Sequence, residues 1–378
     1  MRLTALPLLA CLAGSALLLA GCTTEAPAAV RATVSASATP SPVPTFPALP
    51  AGSLGRERAA ALQRALDASR RIGYPDALAT VITPDGVWSG ASGEDGPRGR
   101  PARPDDVFSI ASVTKTFTAA LVLKLAEQRK LDLDAPLSKY LDPAAAARSN
   151  GATVRQALAM RAGIPDTPDA VRTAALADPR AISSIDDIVR SMPAATAPPG
   201  GAASSSNPTY KLLALAAERA AGGKWADLVR SMLVAPAAVP GTLVVQSAGT
   251  RTPGRWALPS SDGPWGVGGT LPFVADTSFS YGATDMAADT RSLATWGWAL
   301  FAGRIVSPAS LAAMAVSDGE IGSGLDPYPA GLGHQGGKPG YATILLADPA
   351  KRTVVAVAVN DEEAALDVIA ANLIDALR

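Results

Sequence analysis

The stretch Ser112-Val113-Thr114-Lys115, with the apolar run that follows it to Leu131, is the most informative part of this chain. Hydrophobic spacing predicts a helix with Ser112 at or near its start. Residues three apart share a helix face, so the amine of Lys115 can reach the Ser112 hydroxyl. The N–H groups and positive dipole of a helix start favour an oxyanion and disfavour a protonated amine. The pattern therefore predicts a serine nucleophile with its own base, although a helix-capping serine beside a surface lysine has the same spacing.

A second candidate segment is Ser205-Ser206-Asn207, which follows the loop-forming Pro198-Pro199-Gly200-Gly201. A helix-like stretch begins just after it, so the segment is also typical of a helix cap. In the functional interpretation, Ser205 relays a proton between Lys115 and a leaving group. The Asn207 amide then binds substrate and holds Lys115.

The third segment is His334-Gln335-Gly336-Gly337, which contains the single histidine of the chain. It precedes a strand-like run that begins at Tyr341. A glycine-rich strand edge allows a substrate backbone to approach closely, as an added strand. A lone histidine is more often structural than catalytic, but this one stands among glycines.

Taken together, the three segments resemble those of serine β-lactamase and penicillin-binding-protein-type hydrolases, especially the class C β-lactamase and D-alanyl-D-alanine carboxypeptidase branch. The resemblance covers roughly residues 55–378. Further matching segments are Asp76 to Trp88, Val154 to Leu158, Arg161 to Pro165, Pro199 to Tyr210, Asp289, and His334 to Tyr341.

This resemblance implies that Ser112 attacks a carbonyl to form an acyl-enzyme, with Lys115 as the base or part of it. It also implies an oxyanion hole made by the backbone N–H groups of Ser112 and Gly337. Loss of one such donor typically costs about 2.7–4 kcal/mol of barrier. His334 and Gly336 would then stand in the substrate-binding strand, with His334 orienting a substrate carboxylate or the hydroxyl network.

The chain departs from that branch at Ser205, where a tyrosine is usual. Without the phenol, Lys115 has to deprotonate Ser112 directly or through Ser205. This requires a lysine pKa lowered from about 10.4 to near 7, on the order of 4–5 kcal/mol. Tyr210 is expected to point elsewhere from the following helix.

The first 21 residues predict a lipoprotein signal peptide that ends in Leu19-Ala20-Gly21, with Cys22 as the lipidated residue. The apolar stretch is also nearly long enough to span a membrane. Residues 22–52 are rich in Ala, Ser, Thr and Pro and predict a semi-extended tether, and residues 53–378 form the hydrolase domain. These features place the protein on the extracytoplasmic face of a bacterial cell membrane.

Composition narrows the function classes. The formal net charge is zero and no basic stripe occurs, which argues against nucleic-acid binding. Of the two cysteines, Cys11 lies in the predicted signal, so no cysteine pair is left for a disulfide or a metal. We expect no metal, no cofactor and a monomer that acts on a small-molecule or peptide substrate.

The predicted fold class is α+β and β-lactamase-like. Its antiparallel sheet is built from both chain ends, and a mostly helical region is inserted between them. The strands predicted are a hairpin around Asp85-Gly86, then Tyr341–Ala347 and Thr353–Val359, with helices at Arg56–Arg71, within Thr116–Leu233 and within Asp285–Met314. The active site is expected in the cleft between sheet and helices.

The predicted activity is hydrolysis of an amide or ester through an acyl-enzyme. D-Ala-D-Ala peptides or small esters are favoured over β-lactams, because no acidic deacylation base is recognisable. A non-catalytic penicillin-binding or sensor lipoprotein is the alternative from another class. An α/β-hydrolase is not supported, since no G-x-S-x-G occurs.

Overall fold

A computed structural model of the chain describes residues 43, 45–69, 74, 76–96, 99–246, 252–258, 274–316, 321–362 and 364–378. Residues 40–378 belong to one compact unit. The predicted signal peptide, Cys22 and most of the predicted tether lie outside the described residues, so these predictions remain predictions.

The described elements are helices and strands in alternating blocks. Helices are α1 (Arg56–Ser69), α2 (Thr114–Glu127), α3 (Pro143–Ala146), α4 (Val154–Leu158), α5 (Asp169–Ala175), α6 (Ile185–Ser191), α7 (Asn207–Ala221), α8 (Trp225–Val229), α9 (Ala235–Ala237), α10 (Val274–Ser280), α11 (Thr290–Phe301), α12 (Pro308–Ala315) and α13 (Leu366–Asp375). Strands are β1 (Asp76–Thr83), β2 (Gly86–Asp95), β3 (Arg100–Pro101), β4 (Phe108–Ser109), β5 (Leu243–Val245), β6 (Met286–Ala288), β7 (Asp326–Tyr328), β8 (Gly331–Lys338), β9 (Tyr341–Asp348) and β10 (Thr353–Val359). Short 3₁₀ turns cover Ala111–Val113 and Leu137–Tyr140, and a π-helical turn covers Arg230–Val234.

The main sheet joins the two ends of the chain. Its strand order among the described residues is β3-β2-β1-β10-β9-β8-β7, and every neighbouring pair is antiparallel. The β1–β2 hairpin turns at Pro84-Asp85, between the paired Thr83 and Gly86. These observations confirm the α+β class and the sheet made from both termini.

Both faces of the central strands are covered, which explains why β10 is apolar at nearly every position. Val355, Val357 and Val359 pack on the side of α1 and α13. Val354, Ala356 and Ala358 belong to the larger core on the opposite side, together with α2 and α11. The helical region therefore packs on one sheet face, as predicted, and the cleft lies at its contact with β8.

Two features differ from the sequence prediction. The region predicted as a helical pair from Asp285 begins with strand β6, which pairs with β4 and β5 in a small second sheet.

The last part of the predicted tether also packs on the domain: Phe46 is buried against Trp298, with ring centroids 5.0 Å apart. Gly52 O, also in the predicted tether, accepts from Val87 N at 3.0 Å. An isolated aromatic residue among prolines gives no periodic signal, so local sequence could not reveal this contact.

Candidate active site

Ser112 lies in the 3₁₀ turn that leads into α2, as the S-x-x-K pattern predicts. The preceding residue, Ala111, has a φ of 44°, in the left-handed region that non-glycine residues seldom occupy. Such backbone strain is kept only where the surroundings enforce it, and it concentrates at functional sites. Here it presents the half-buried Ser112 at the wall of the cleft.

Lys115 is buried directly beneath this serine. Its Nζ lies 2.7 Å from Ser112 Oγ, 2.7 Å from Asn207 Oδ1 and 3.4 Å from the carbonyl oxygen of Ala283. A neutral amine has two N–H groups and one lone pair. Asn207 Oδ1 and Ala283 O can accept only from N–H groups, so the lone pair is left for the Ser112 hydroxyl.

The electrostatic environment makes the neutral amine accessible near neutral pH. Burial lowers the pKa of Lys115 to about 7, against an opposing effect of Asp166, whose charge favours the ammonium form. Lys211 adds to the lowering. Because serine replaces the usual tyrosine at position 205, Lys115 has to act as the base, and this role requires a lysine pKa near 7. Desolvation is the main cause of the shift to that value.

Asn207 begins α7 and is fixed by Asp166. Its Nδ2 donates to Asp166 Oδ2 at 2.9 Å, and its backbone N–H donates to Oδ1 at 3.2 Å. Because the amide nitrogen is used in this way, the amide oxygen must face Lys115. Asp166 therefore sets the orientation of Asn207, a role that sequence reasoning missed.

Strand β8 lies against the backbone of Ser112. A Cβ added at Gly336 would meet Ser112 N at 2.3 Å, so any larger residue there would displace one of the two segments. A Cβ added at the adjacent Gly337 would not clash in this way, since the nearest atom it would meet is Glu362 O at 3.4 Å. The close approach explains the glycine at 336 and leaves Gly337 at the wall of the cleft.

His334 stands at the start of the same stretch, with a side chain that is 12% exposed. Its Nδ1 lies 2.6 Å from Gln335 O, and its Nε2 lies 3.9 Å from Asp326 Oδ2. Burial lowers the pKa of His334, with Asp326 opposing and Lys115 adding to the effect. A neutral imidazole suits hydrogen bonding to substrate better than ion pairing.

Ser205 and Ser206 have different environments. Ser206 is buried and caps α7, accepting from Thr209 N at 3.2 Å. Ser205 is exposed and lines the cleft, but within the described residues it makes no hydrogen bond to Lys115 or Ser112. The relay role of Ser205 is therefore not supported by a direct hydrogen bond and stays a prediction. Tyr210 points away, as expected, and donates to Leu158 O at 2.9 Å.

Ser112 lies at the junction of two cavities. The larger, about 460 Å³, is lined by the residues Ser112, Ser205, Asp326, His334, Gly337 and Glu362 among others. The smaller, about 180 Å³, is lined by Ser112, Asn207, Lys211, Asp276, Phe279 and Lys338 among others. Six of the seven predicted site residues in the cleft line one or both of these cavities, and the seventh, Lys115, contacts Ser112 Oγ from beneath.

A family model described as Beta-lactamase matches residues 60–378. The chain belongs to the beta-lactamase family. Members of this family and superfamily are serine hydrolases, and the fold, the position of Ser112 and its lysine agree with that class.

Solved structures of the same fold include a D-amino acid amidase from Ochrobactrum anthropi SV3, with a TM-score of 0.71 and 23% identity over 85% of this chain and 98% of that one. A penicillin-binding protein from Bacillus halodurans gives a TM-score of 0.68 and 21% identity over 84% of this chain and 99% of that one. At these identities the likeness establishes the fold.

Sequence relatives match shorter stretches. Esterase EstB of Burkholderia gladioli is 38% identical over 100 residues, which is 26% of this chain and 25% of the esterase. The human mitochondrial serine beta-lactamase-like protein LACTB is 35% identical over 105 residues, or 26% of this chain and 19% of that protein. The matched region thus spans about a quarter or less of these relatives' length.

The described residues contain no cluster of three or more His, Cys, Asp or Glu side chains suited to a metal ion. Within the same described ranges, no helix combines the length and hydrophobicity needed to cross a bilayer.

Proposed function

We propose that this protein hydrolyses an amide or ester of a D-amino acid or D-peptide through an acyl-enzyme on Ser112. The observation that carries the proposal is the 2.7 Å approach of Lys115 Nζ to Ser112 Oγ, in a site where burial lowers the pKa of that lysine to about 7. A buried amine in this state is a competent general base.

In the proposed reaction, Lys115 accepts the proton of Ser112 as Oγ forms a bond to the carbonyl carbon. The carbonyl oxygen becomes an oxyanion that the backbone N–H groups of Ser112 and Gly337 stabilise. The C–N or C–O bond then breaks, and the proton passes to the leaving amine or alcohol. Water subsequently attacks the acyl-enzyme, which releases the acid and restores Ser112.

The leaving group is assigned to the larger cavity, because Ser205 and His334 line it. A hydroxyl there can pass a proton to the leaving group by way of bound water. Asn207 and the stretch of β8 around Gly337 would hold the acyl part.

Support for D-configured substrates comes from similar folds. Structures of this fold include a D-amino acid amidase and a D-stereospecific amidohydrolase from Streptomyces. We further propose an extracytoplasmic location with a lipid anchor on Cys22, on the basis of the Leu19-Ala20-Gly21-Cys22 sequence. Such an anchor would hold the enzyme near peptidoglycan peptides.

The decisive experiment combines covalent labelling with substrate discrimination. Wild-type protein, Ser112→Ala and the exposed control Ser231→Ala are treated with a fluorophosphonate, a penicillin, and D- and L-alanine p-nitroanilides, then examined by intact-protein mass spectrometry and by release of nitroaniline. We expect one adduct and D-selective release in wild type and Ser231→Ala, and neither in Ser112→Ala. Absence of labelling in wild type would favour a binding or sensor lipoprotein, and L-selective release would overturn the D-substrate proposal.

A further inference from the structure

The smaller cavity beside Ser112 contains a second buried lysine that the proposed chemistry does not use. Lys211 is 2% exposed and lies on α7, four residues after Asn207. Four residues make about one helical turn, so the two side chains share one face of α7. Asn207 contacts Lys115, whereas Lys211 lies further along the cavity wall.

The other charged side chains of this cavity are already paired. Lys338 Nζ contacts Asp276 Oδ2 at 2.6 Å, and Arg172 Nη2 contacts Asp169 Oδ1 at 3.0 Å. Asp166 accepts two hydrogen bonds from Asn207. Within the part of the chain that the structure describes, Lys211 has no hydrogen bond and no ion pair.

The contact that Lys211 does make stabilises its charge. Its Nζ lies 3.8 Å from the centroid of the Phe279 ring, a cation–π geometry. Burial lowers the pKa of Lys211 only to about 8, because Asp166, Asp276 and Asp285 oppose the desolvation. The amine is therefore mainly protonated at neutral pH, with N–H donors that no described residue accepts.

A buried ammonium with free donors has a strong preference for a carboxylate ligand. We propose that the smaller cavity is an acyl-group subsite in which Lys211 binds a carboxylate carried by the acyl part of the substrate. This inference rests on the proposed function for the assignment of the acyl side, since Ser205 and His334 give the leaving group to the larger cavity. Phe279 and Leu176, which also line the smaller cavity, would contact the methylene groups between the carbonyl and the carboxylate.

The test compares esters that differ only in a terminal charge. The charged substrates are mono-p-nitrophenyl esters of adipic, pimelic and suberic acids. The neutral ones are p-nitrophenyl hexanoate, heptanoate and octanoate, and Ser112→Ala supplies the background rate. At pH 7 we expect kcat/KM to favour the charged ester about tenfold for at least one chain length.

Three lysine variants locate the preference. Lys211→Met should reduce the charged-to-neutral ratio about tenfold, Lys211→Arg should retain most of it, and Lys224→Met, which removes an exposed lysine, should leave the ratio unchanged. In wild type the preference should be present below pH 8 and lost above it, as Lys211 loses its proton. Lys115 and the carboxylates of Asp166, Asp276 and Asp285 also influence Lys211, so Asp276→Asn should move this loss to lower pH.

A neutral-ester preference at every chain length, or an unchanged ratio in Lys211→Met, would overturn the inference. A binding measurement separates this failure from failure of the proposed function. Calorimetry with Ser112→Ala protein should detect adipate, pimelate or suberate but not the uncharged analogue hexanamide, and Ser112→Ala/Lys211→Met should bind none of them. If the protein binds the dicarboxylates but hydrolyses none of the esters, the Lys211 subsite stands and the proposed hydrolase function fails. If it hydrolyses the esters but binds no dicarboxylate, the hydrolase function stands and the subsite fails.

Discussion

Two regions of the molecule bury ionisable groups: the surroundings of Lys115, and an acidic cluster made of Asp76, Asp95 and Asp106. They differ in whether a substrate can reach the buried group. Each of the three carboxyl groups is fully buried. Burial raises the pKa of Asp76 to about 7, close to the value to which burial lowers that of Lys115. A perturbed pKa is therefore not by itself a mark of catalysis in this protein.

The acidic cluster holds backbone segments together. Asp76 Oδ1 accepts from Asn360 N at 2.9 Å, Asp95 Oδ2 accepts from Leu258 N at 3.0 Å, and Asp106 Oδ2 accepts from Arg103 N at 2.8 Å. None of the three carboxylates lines either cavity beside Ser112. Lys115, by contrast, has a nucleophile within 2.7 Å and two cavities meeting above it. Access to substrate, more than the size of the shift, distinguishes the two regions.

The largest expected effect is that of Lys115→Arg. A guanidinium stays protonated and cannot accept the Ser112 proton, so the rate of acylation should fall about 10³-fold. Single-turnover fluorophosphonate labelling measures that rate. Arg100 Nε donates to Asp95 Oδ1 at 2.7 Å, so Arg100→Lys alters the acidic cluster and is the matched control, which should label at the wild-type rate. A Lys115→Arg protein that labels normally would remove this lysine from the mechanism.

An intermediate effect is expected for Asp76→Asn on stability. The folded-state pKa of Asp76 is raised to about 7 from an unfolded value near 3.9, so the folded state holds an extra proton between these pH values. Wild-type stability should therefore fall as pH rises through this window, by at most about 1.4 kcal/mol per pH unit. Asp76→Asn should flatten that slope in urea unfolding at pH 5 to 8, and an unaltered slope would contradict the assignment.

The smallest expected effect concerns the pH dependence of turnover. Since Lys115 must be neutral to act as a base, kcat/KM should rise with pH around a midpoint near 7. Asp166 favours the ammonium form, so Asp166→Asn should move the midpoint to lower pH and raise the rate at pH 6 several-fold relative to its own plateau. Asp76→Asn should leave the midpoint in place, although that carboxyl also titrates near 7; movement there would mean that the two regions are coupled.

Much of the fold could be predicted from local sequence. The hairpin around Asp85-Gly86 and the terminal strands that begin at Tyr341 and Thr353 were predicted from their turn and their apolar runs, and they form as predicted. Ser112 and Lys115 were recognisable because a three-residue spacing fixes their geometry within one helical turn. The glycine-rich stretch was predicted to admit a substrate backbone, whereas at Gly336 the segment that approaches is the backbone of Ser112.

The remaining parts depend on contacts between distant segments. Asp166 acts on Asn207 across 41 residues, and nothing in the intervening sequence indicates that pairing. Lys211 sits in an apolar helical run where a lysine normally extends into solvent; only the packing of α10 encloses it with Phe279. Strand β6 is three residues long, too short for a periodic signal.

The burial of Phe46 has a consequence for how the domain is attached to anything upstream. Trp298 Nε1 donates to Pro47 O at 2.9 Å, and Phe46 N donates to Phe301 O at 3.1 Å, so the chain is fastened to α11 before it reaches α1. A force applied to the chain from the amino-terminal side would act first on these contacts of Phe46 and Pro47 with α11. The strands that form the catalytic cleft would bear it only after these contacts had broken. If Cys22 carries the proposed lipid, the free segment between the lipid and the domain would end at Phe46. It would therefore be several residues shorter than the tether predicted from the proline-rich composition, which ends at residue 52.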